Sequence, residues 1–137
     1  MSWAESLIKL AAYEVEVVQK RLAEVTERRT AAEMKRMMLE AEGEAEAAHA
    51  RANPDSSWSH VGFMQGLRQR KADLEARIEE LLAEERGVRD ALALAFESQK
   101  KYEHVAETAR VLQRKEMDRR ETAMLDELGL RRAASGR

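Results

Sequence analysis

The chain has 137 residues, about the length of one ordinary domain, with 36% charged residues, 4% aromatics, a formal net charge of -2 and no cysteine. Ala, Glu, Arg and Leu dominate while Gly and Pro are scarce, which favours long helices or a coiled coil over a compact enzyme domain. The near-balanced, interspersed charge gives no global field to draw the protein onto nucleic acid or an anionic membrane, and the lack of cysteine excludes disulfides, thiolate chemistry and sulfur-ligated zinc.

The opening MSWAESLIKLAAYEVEV carries acids within its apolar stretch, so it reads as neither a signal peptide nor a membrane span, and the whole as a soluble cytoplasmic protein. A first helix is predicted over residues 4–52. Its 3-4 spacing picks out Ala4, Ile8, Ala11, Val15, Val18, Leu22 and Val25, then more weakly Arg29, Ala32, Arg36, Leu39, Gly43, Glu46 and Ala50. The one proline, Pro54, lacks an N–H, fixes its own φ and pushes Asn53 out of the α region, so the helix should stop near Ala52. Residues 53–57 then form a turn, in which Asp55, Ser56 and Ser57 are candidate caps for the second helix.

That second helix is predicted over residues 58–129, its seam running Met64, Leu67, Lys71, Leu74, Ile78, Leu81, Glu85, Val88, Leu92, Ala95, Gln99, Tyr102, Ala106 and Ala109. A short turn between two such helices predicts an all-α antiparallel coiled-coil hairpin, a single domain over residues 1–137. Folding about Asp55 makes facing residue numbers sum to about 110, which sets Ile8 against Tyr102, Val18 against Leu92, Leu22 against Val88, Ala32 against Ile78 and Gly43 against Leu67. Arg29 falls one layer from Glu85, which predicts a partly buried ion pair that fixes the register. The second helix overhangs the first, its seam frame lapses, and Leu112, Met117, Met124, Leu125, Leu128 and Leu130 form a looser apolar set. Those residues could receive a partner, dimerise the protein or fray. Gly129 is read as the helix end and residues 130–137 as a disordered tail.

Chemistry is not written in this pattern. His49, His60 and His104 sit at unrelated places, and no phosphate loop, dinucleotide fingerprint or nucleophile elbow occurs, so no catalytic residue, cofactor site or metal site is expected. Basic pairs such as Lys100-Lys101 and Arg119-Arg120 are interleaved with acids and lack aromatic platforms, so no nucleic-acid partner is expected either. Near the turn, Trp58, Val61, Phe63 and Leu67 read equally as a packed cap or as a docking knob.

The opening WAESLIKLAAYEVEVVQKRLAEVTERR, the tip pattern of Trp58 with Phe63-x-x-x-Leu67, and the ending RRETAMLDELGLRR, with Leu125, Asp126, Glu127, Leu128, Arg131 and Arg132 on the closing motif, resemble the FliJ family of flagellar type III export proteins, in its alphaproteobacterial branch. The resemblance covers nearly the whole chain. It implies an antiparallel coiled coil without enzymatic activity, similar to the central stalk of rotary ATPases, whose terminal end enters the ring of the hexameric flagellar export ATPase and promotes its assembly and ATP hydrolysis. On this chain that end would comprise Trp3, Leu7, Leu112, Met117, Arg119, Arg120, Met124, Leu128, Arg131 and Arg132. The resemblance further implies contact between the tip, Trp58, Phe63 and Leu67, and the cytoplasmic domain of the export-gate membrane protein, and binding of flagellar export chaperones. Such a protein is cytoplasmic, peripheral at the inner membrane through its partners. Arg70 and Leu74 depart from the small and polar residues of better-known members. The stalk of a virulence secretion system and a generic coiled-coil adaptor are the alternative readings.

Overall fold

Helix α1 starts where a serine can satisfy its first free amides. In the computed structural model, which describes residues 2–136 apart from the side chains of Ser56 and Ser57, α1 spans Trp3–Ala52. Ser2 Oγ accepts from the Glu5 amide at 3.2 Å, and Ser2 and Glu5 have the spacing of a capping box. At the other end the amide of Asn53 donates to the His49 carbonyl at 2.9 Å and its side-chain Nδ2 donates to the same oxygen at 3.1 Å. Asn53 thus closes α1 just before Pro54 would force it open. One 3-10 turn, Pro54–Ser56, leads into α2, Ser57–Ser135. Of the candidate caps, Asp55 is exposed, while the side chains of Ser56 and Ser57 lie outside the described residues.

The two helices pack on each other as an all-α hairpin, with no strand among the described residues. Every seam position named from the sequence, on both helices, is buried or half-buried. Packing divides into two units, one formed by residues 1–15 with 94–137 and the other by residues 16–93.

In the second unit the core is thin. Ala32, Ile78 and Leu81 form its buried cluster, with Leu74 and Leu82 packed against it, and Val25, Val88 and Leu67 are buried along the same seam. The Arg29–Glu85 pair is present: Arg29 Nε donates to Glu85 Oε2, and Arg29 also bonds Glu33 at 3.1 Å. Glu85, the buried charged residue of this core, takes a further bond from Arg89 at 2.7 Å, so both of its oxygens are satisfied. Arg28–Glu84 at 3.4 Å joins the helices beside the seam, and the seam residue Lys71 reaches Glu40 at 3.3 Å. Arg28–Glu84 is exposed and Lys71 is only half-buried, so these pairs add specificity of pairing more than stability.

Gly43 is the position where the helices need a missing side chain. A Cβ there would lie 2.8 Å from Leu67 Cδ2 and 4.0 Å from Met64 Cε. Alanine gains about 0.5–1 kcal/mol of helix propensity but must displace the tip of a buried leucine, so Gly43→Ala is expected to be near neutral. Gly43→Leu cannot be accommodated that way and should destabilise by about 1–3 kcal/mol, read as a lower urea midpoint at constant slope.

In the first unit the buried residues are Ala4, Ala11, Val15 and Ala106, with Ile8 and Tyr102 half-buried. Small side chains there allow close approach of the backbones. α2 does not end at Gly129 but runs to Ser135, where Gly136 N reaches Arg132 O at 3.0 Å. A lone glycine costs a helix only about 1 kcal/mol, and here it is flanked by strong helix formers, an Arg131–Glu127 pair at 3.1 Å and no later proline. Residues 130–135 are therefore helix; Arg137 lies outside the described residues.

Candidate functional site

Exposed apolar side chains occur along both helices, Leu10, Tyr13, Met34, Met37, Met38 and Leu94 among them, and two of the places that carry them hold the residues singled out in the sequence. The first is the C-terminal stretch of α2. From Arg110 onward every described residue except Glu116 is exposed, including Leu112, Met117, Met124, Leu125, Leu128 and Leu130. Met117, Met124 and Leu128 stand at i, i+7 and i+11, which places them on one face of the helix. Arg114, Arg120, Arg131 and Arg132 lie on or beside that face, while Arg119 is on the opposite side of the helix. Arg119 grips Glu116 with two bonds, at 3.0 and 2.8 Å, and Arg120 adds a third to the same carboxylate at 3.2 Å. The bidentate Arg119 fork holds the Glu116 carboxyl below its usual range, with Arg120 helping, and raises Arg119 itself. On α1 of the same unit Trp3 is exposed and Leu7 half-buried, while Arg131 and Arg132 are exposed near the end of α2.

The second place is the turn. Trp58 is 81% exposed and Val61 and Phe63 are exposed beside it, so they are not a packed cap. Leu67 differs: it is buried against Gly43 and belongs to the core, where it supports the first turns of α2. Arg70 is exposed and Leu74 half-buried. His60 Nδ1 is buried and lies 3.6 Å from Glu46 Oε1 across the two helices; His60 continues the 3-4 spacing one step before Met64, so this contact lies on the seam.

Among the described residues no three His, Asp or Glu side chains are gathered so as to hold a metal ion, and no helix is long and apolar enough to cross a membrane. The hollows on the surface are open grooves along helix faces, such as that lined by Leu39, Gly43, Ala47 and Met64.

Two curated relatives, both described as "Flagellar FliJ protein" and both from Caulobacter vibrioides, strains NA1000 / CB15N and ATCC 19089 / CIP 103742 / CB 15, are each 53% identical to this chain over 134 residues, 98% of its length and 96% of theirs. The chain belongs to the FliJ family. No family model matches it, and no solved structure matches it. Membership places this FliJ-family chain among flagellar export components.

The polar layer inside the FliJ hairpin has a pH signature. Arg89 first, then Arg29, hold the Glu85 carboxyl below its usual value of about 4.5 against the opposing effect of burial. A carboxyl depressed on folding stabilises the fold above its unfolded value, and the gain is lost as pH falls through the lower folded value. The melting temperature should therefore hold above about pH 5 and drop on acidification below about pH 4. Glu85→Gln should melt lower than the parent at neutral pH and converge on it in acid. A constant gap between the two melting curves down to the lowest pH would mean that the Glu85 charge plays no part.

Proposed function

We propose that this chain is a non-enzymatic, cytoplasmic component of flagellar type III export that acts as the central stalk of the hexameric export ATPase, promotes its assembly and activity, and links it to the export gate and to export chaperones. Family membership supports the setting. The observation that carries the reading is the C-terminal stretch of α2, where Met117, Met124 and Leu128 share one face bordered by arginines and pack on nothing within the described residues. A helix with an unpaired apolar stripe and basic flanks is a ligand for a groove or a ring lumen with acidic walls. Trp3, Leu7, Arg119, Arg120, Arg131 and Arg132 are assigned to the same contact. Trp58 and Phe63, exposed at the turn, are assigned to the export gate, and Leu67 to holding them in place.

The test is the ATP hydrolysis rate of the cognate export ATPase, titrated with the intact chain, with a chain lacking residues 110–137, and with Phe63→Ala. Stimulation by the intact chain and by Phe63→Ala, but not by the shortened chain, is the expected pattern. An ATPase that is active and assembles into rings yet ignores the intact chain would leave a generic adaptor as the better description.

A further inference from the structure

The outer face of α1 in the second unit carries an apolar cluster that the hairpin does not use. Met34, Met37 and Met38 stand at i, i+3 and i+4, which makes them neighbours on the helix surface, and they are 60%, 65% and 62% exposed. The seam residues of this stretch, Ala32, Arg36, Leu39 and Gly43, lie on the other side of the helix. Charge divides the same way. Arg28 is taken up by Glu84, Arg29 by Glu85 and Glu33, and Glu40 by Lys71, all toward α2 or along the seam. The acids left over face outward. Glu27 lies seven residues before Met34, Glu42 four after Met38 and Glu44 seven after Met37, so each stands within about 40° of a methionine around the helix axis. All three are exposed and make no ion pair among the described residues. Against them stands Lys35, three residues before Met38.

We propose that Met34, Met37 and Met38, with Glu27, Glu42 and Glu44 around them, receive a basic amphipathic helix of a partner protein. Methionine is unbranched and polarizable, so a cluster of three adapts to apolar faces of differing shape. Charge selects which helix lies there. Glu42 and Glu44 flank the line through Met34, about 80° to either side of it, and Glu27 stands almost on that line some two turns earlier. Lysines or arginines on both borders of a partner's apolar stripe therefore meet a carboxylate on each side, whereas an acidic helix meets three that nothing in the hairpin compensates. The contact is exposed and screened by salt, so it is expected to be weak, with Kd on the order of 10–100 µM. The inference does not depend on the ATPase reading, since none of these residues is assigned to the ring or to the gate.

The probe is a fluorescein-labelled peptide of about 18 leucine and lysine residues with leucine at i, i+3, i+4 and i+7, titrated with the full chain and read by anisotropy; the same peptide with glutamate for lysine is the control. Saturable binding of the lysine peptide that weakens with salt, and none of the glutamate peptide, is expected. Met34→Gln, Met37→Gln and Met38→Gln together should weaken it about ten-fold or more, because they remove the apolar cluster while keeping a good helix former. Glu27→Gln, Glu42→Gln and Glu44→Gln together should weaken it about ten-fold and flatten its salt dependence. Met117→Gln with Met124→Gln, on the far stretch of α2, should leave it within about two-fold. No binding up to about 200 µM, equal binding of the glutamate peptide, or binding that survives the substitutions at 34, 37 and 38 would overturn the proposal. So would self-association of the chain, in sedimentation equilibrium, that those three substitutions abolish, since a second copy would then be the occupant. Circular dichroism of each variant separates loss of binding from loss of helix.

Discussion

Leu81→Ala should lower the unfolding free energy by about 2–5 kcal/mol, a large part of what a chain of this size can possess. Leu81 is 2% exposed and is the largest fully buried side chain among the described residues. It packs in a cluster whose other buried members are Ala32 and Ile78, with Leu74 and Leu82 alongside. Truncation removes apolar surface from that cluster and leaves a hole that the alanine across the interface cannot fill. A two-helix layer is thin, however, so neighbours and solvent can close part of the hole, which sets the expected value in the lower half of the range. Met37→Ala, an exposed substitution in the same unit, should change stability by no more than about 0.5 kcal/mol. Urea unfolding followed by circular dichroism makes the comparison. A change below about 1 kcal/mol for Leu81→Ala would show that the cluster is not the stabilising centre of this unit.

The hairpin is legible in the sequence because a heptad pattern has few solutions. With one proline to mark the fold and long runs of helix formers on either side, the period alone assigns Ile78, Leu81 and Val88 to the inside and places Gly43 opposite Leu67. The Arg29–Glu85 pair comes from the same register, since two polar residues on facing seams have only each other and their helical neighbours as partners. Caps are less visible. Ser2 and Glu5 have the capping-box spacing but stand at the extreme start of the chain, and Asn53 reads only as the residue before a proline, although its side chain closes α1. Gly129 misleads for a simple reason: glycine is a helix end only when the chain turns there, and its φ is not positive. The candidate sites are legible as composition, not as geometry. Sequence groups Trp58, Phe63 and Leu67 together, and only the packing separates the exposed pair from the buried leucine. The stripe on Met117, Met124 and Leu128 is blurred because its frame is displaced from the seam that precedes it, so the set looks loose until its exposure is known.

Ala123→Pro should abolish most of the function assigned to the C-terminal stretch while leaving the hairpin intact. Position 123 lies inside α2, between Glu121 and Met124, on a part of the helix that packs against nothing within the described residues. Proline there removes one helical hydrogen bond and clashes with the preceding turn, at a cost of about 3 kcal/mol or more. Against that, the stretch has helix propensity and exposed ion pairs such as Arg119–Glu116 and Arg131–Glu127, each worth about 0.3–0.5 kcal/mol. Isolated helices of this length are marginal in water even without a proline, so the break should not be absorbed and Met117 should no longer share a face with Met124 and Leu128. The expected result is a modest loss of helical ellipticity, an unchanged melting transition for the Leu81 core, and stimulation of the export ATPase reduced about ten-fold or more, close to that of the chain lacking residues 110–137. Ala123→Gly, at about 1 kcal/mol, should fall between the two. Full stimulation by the proline variant, with the ellipticity loss confirmed, would mean that the partner reads single side chains and not a continuous helical face. A lowered core transition would mean that the stretch is coupled to the hairpin in a way its exposure does not reveal.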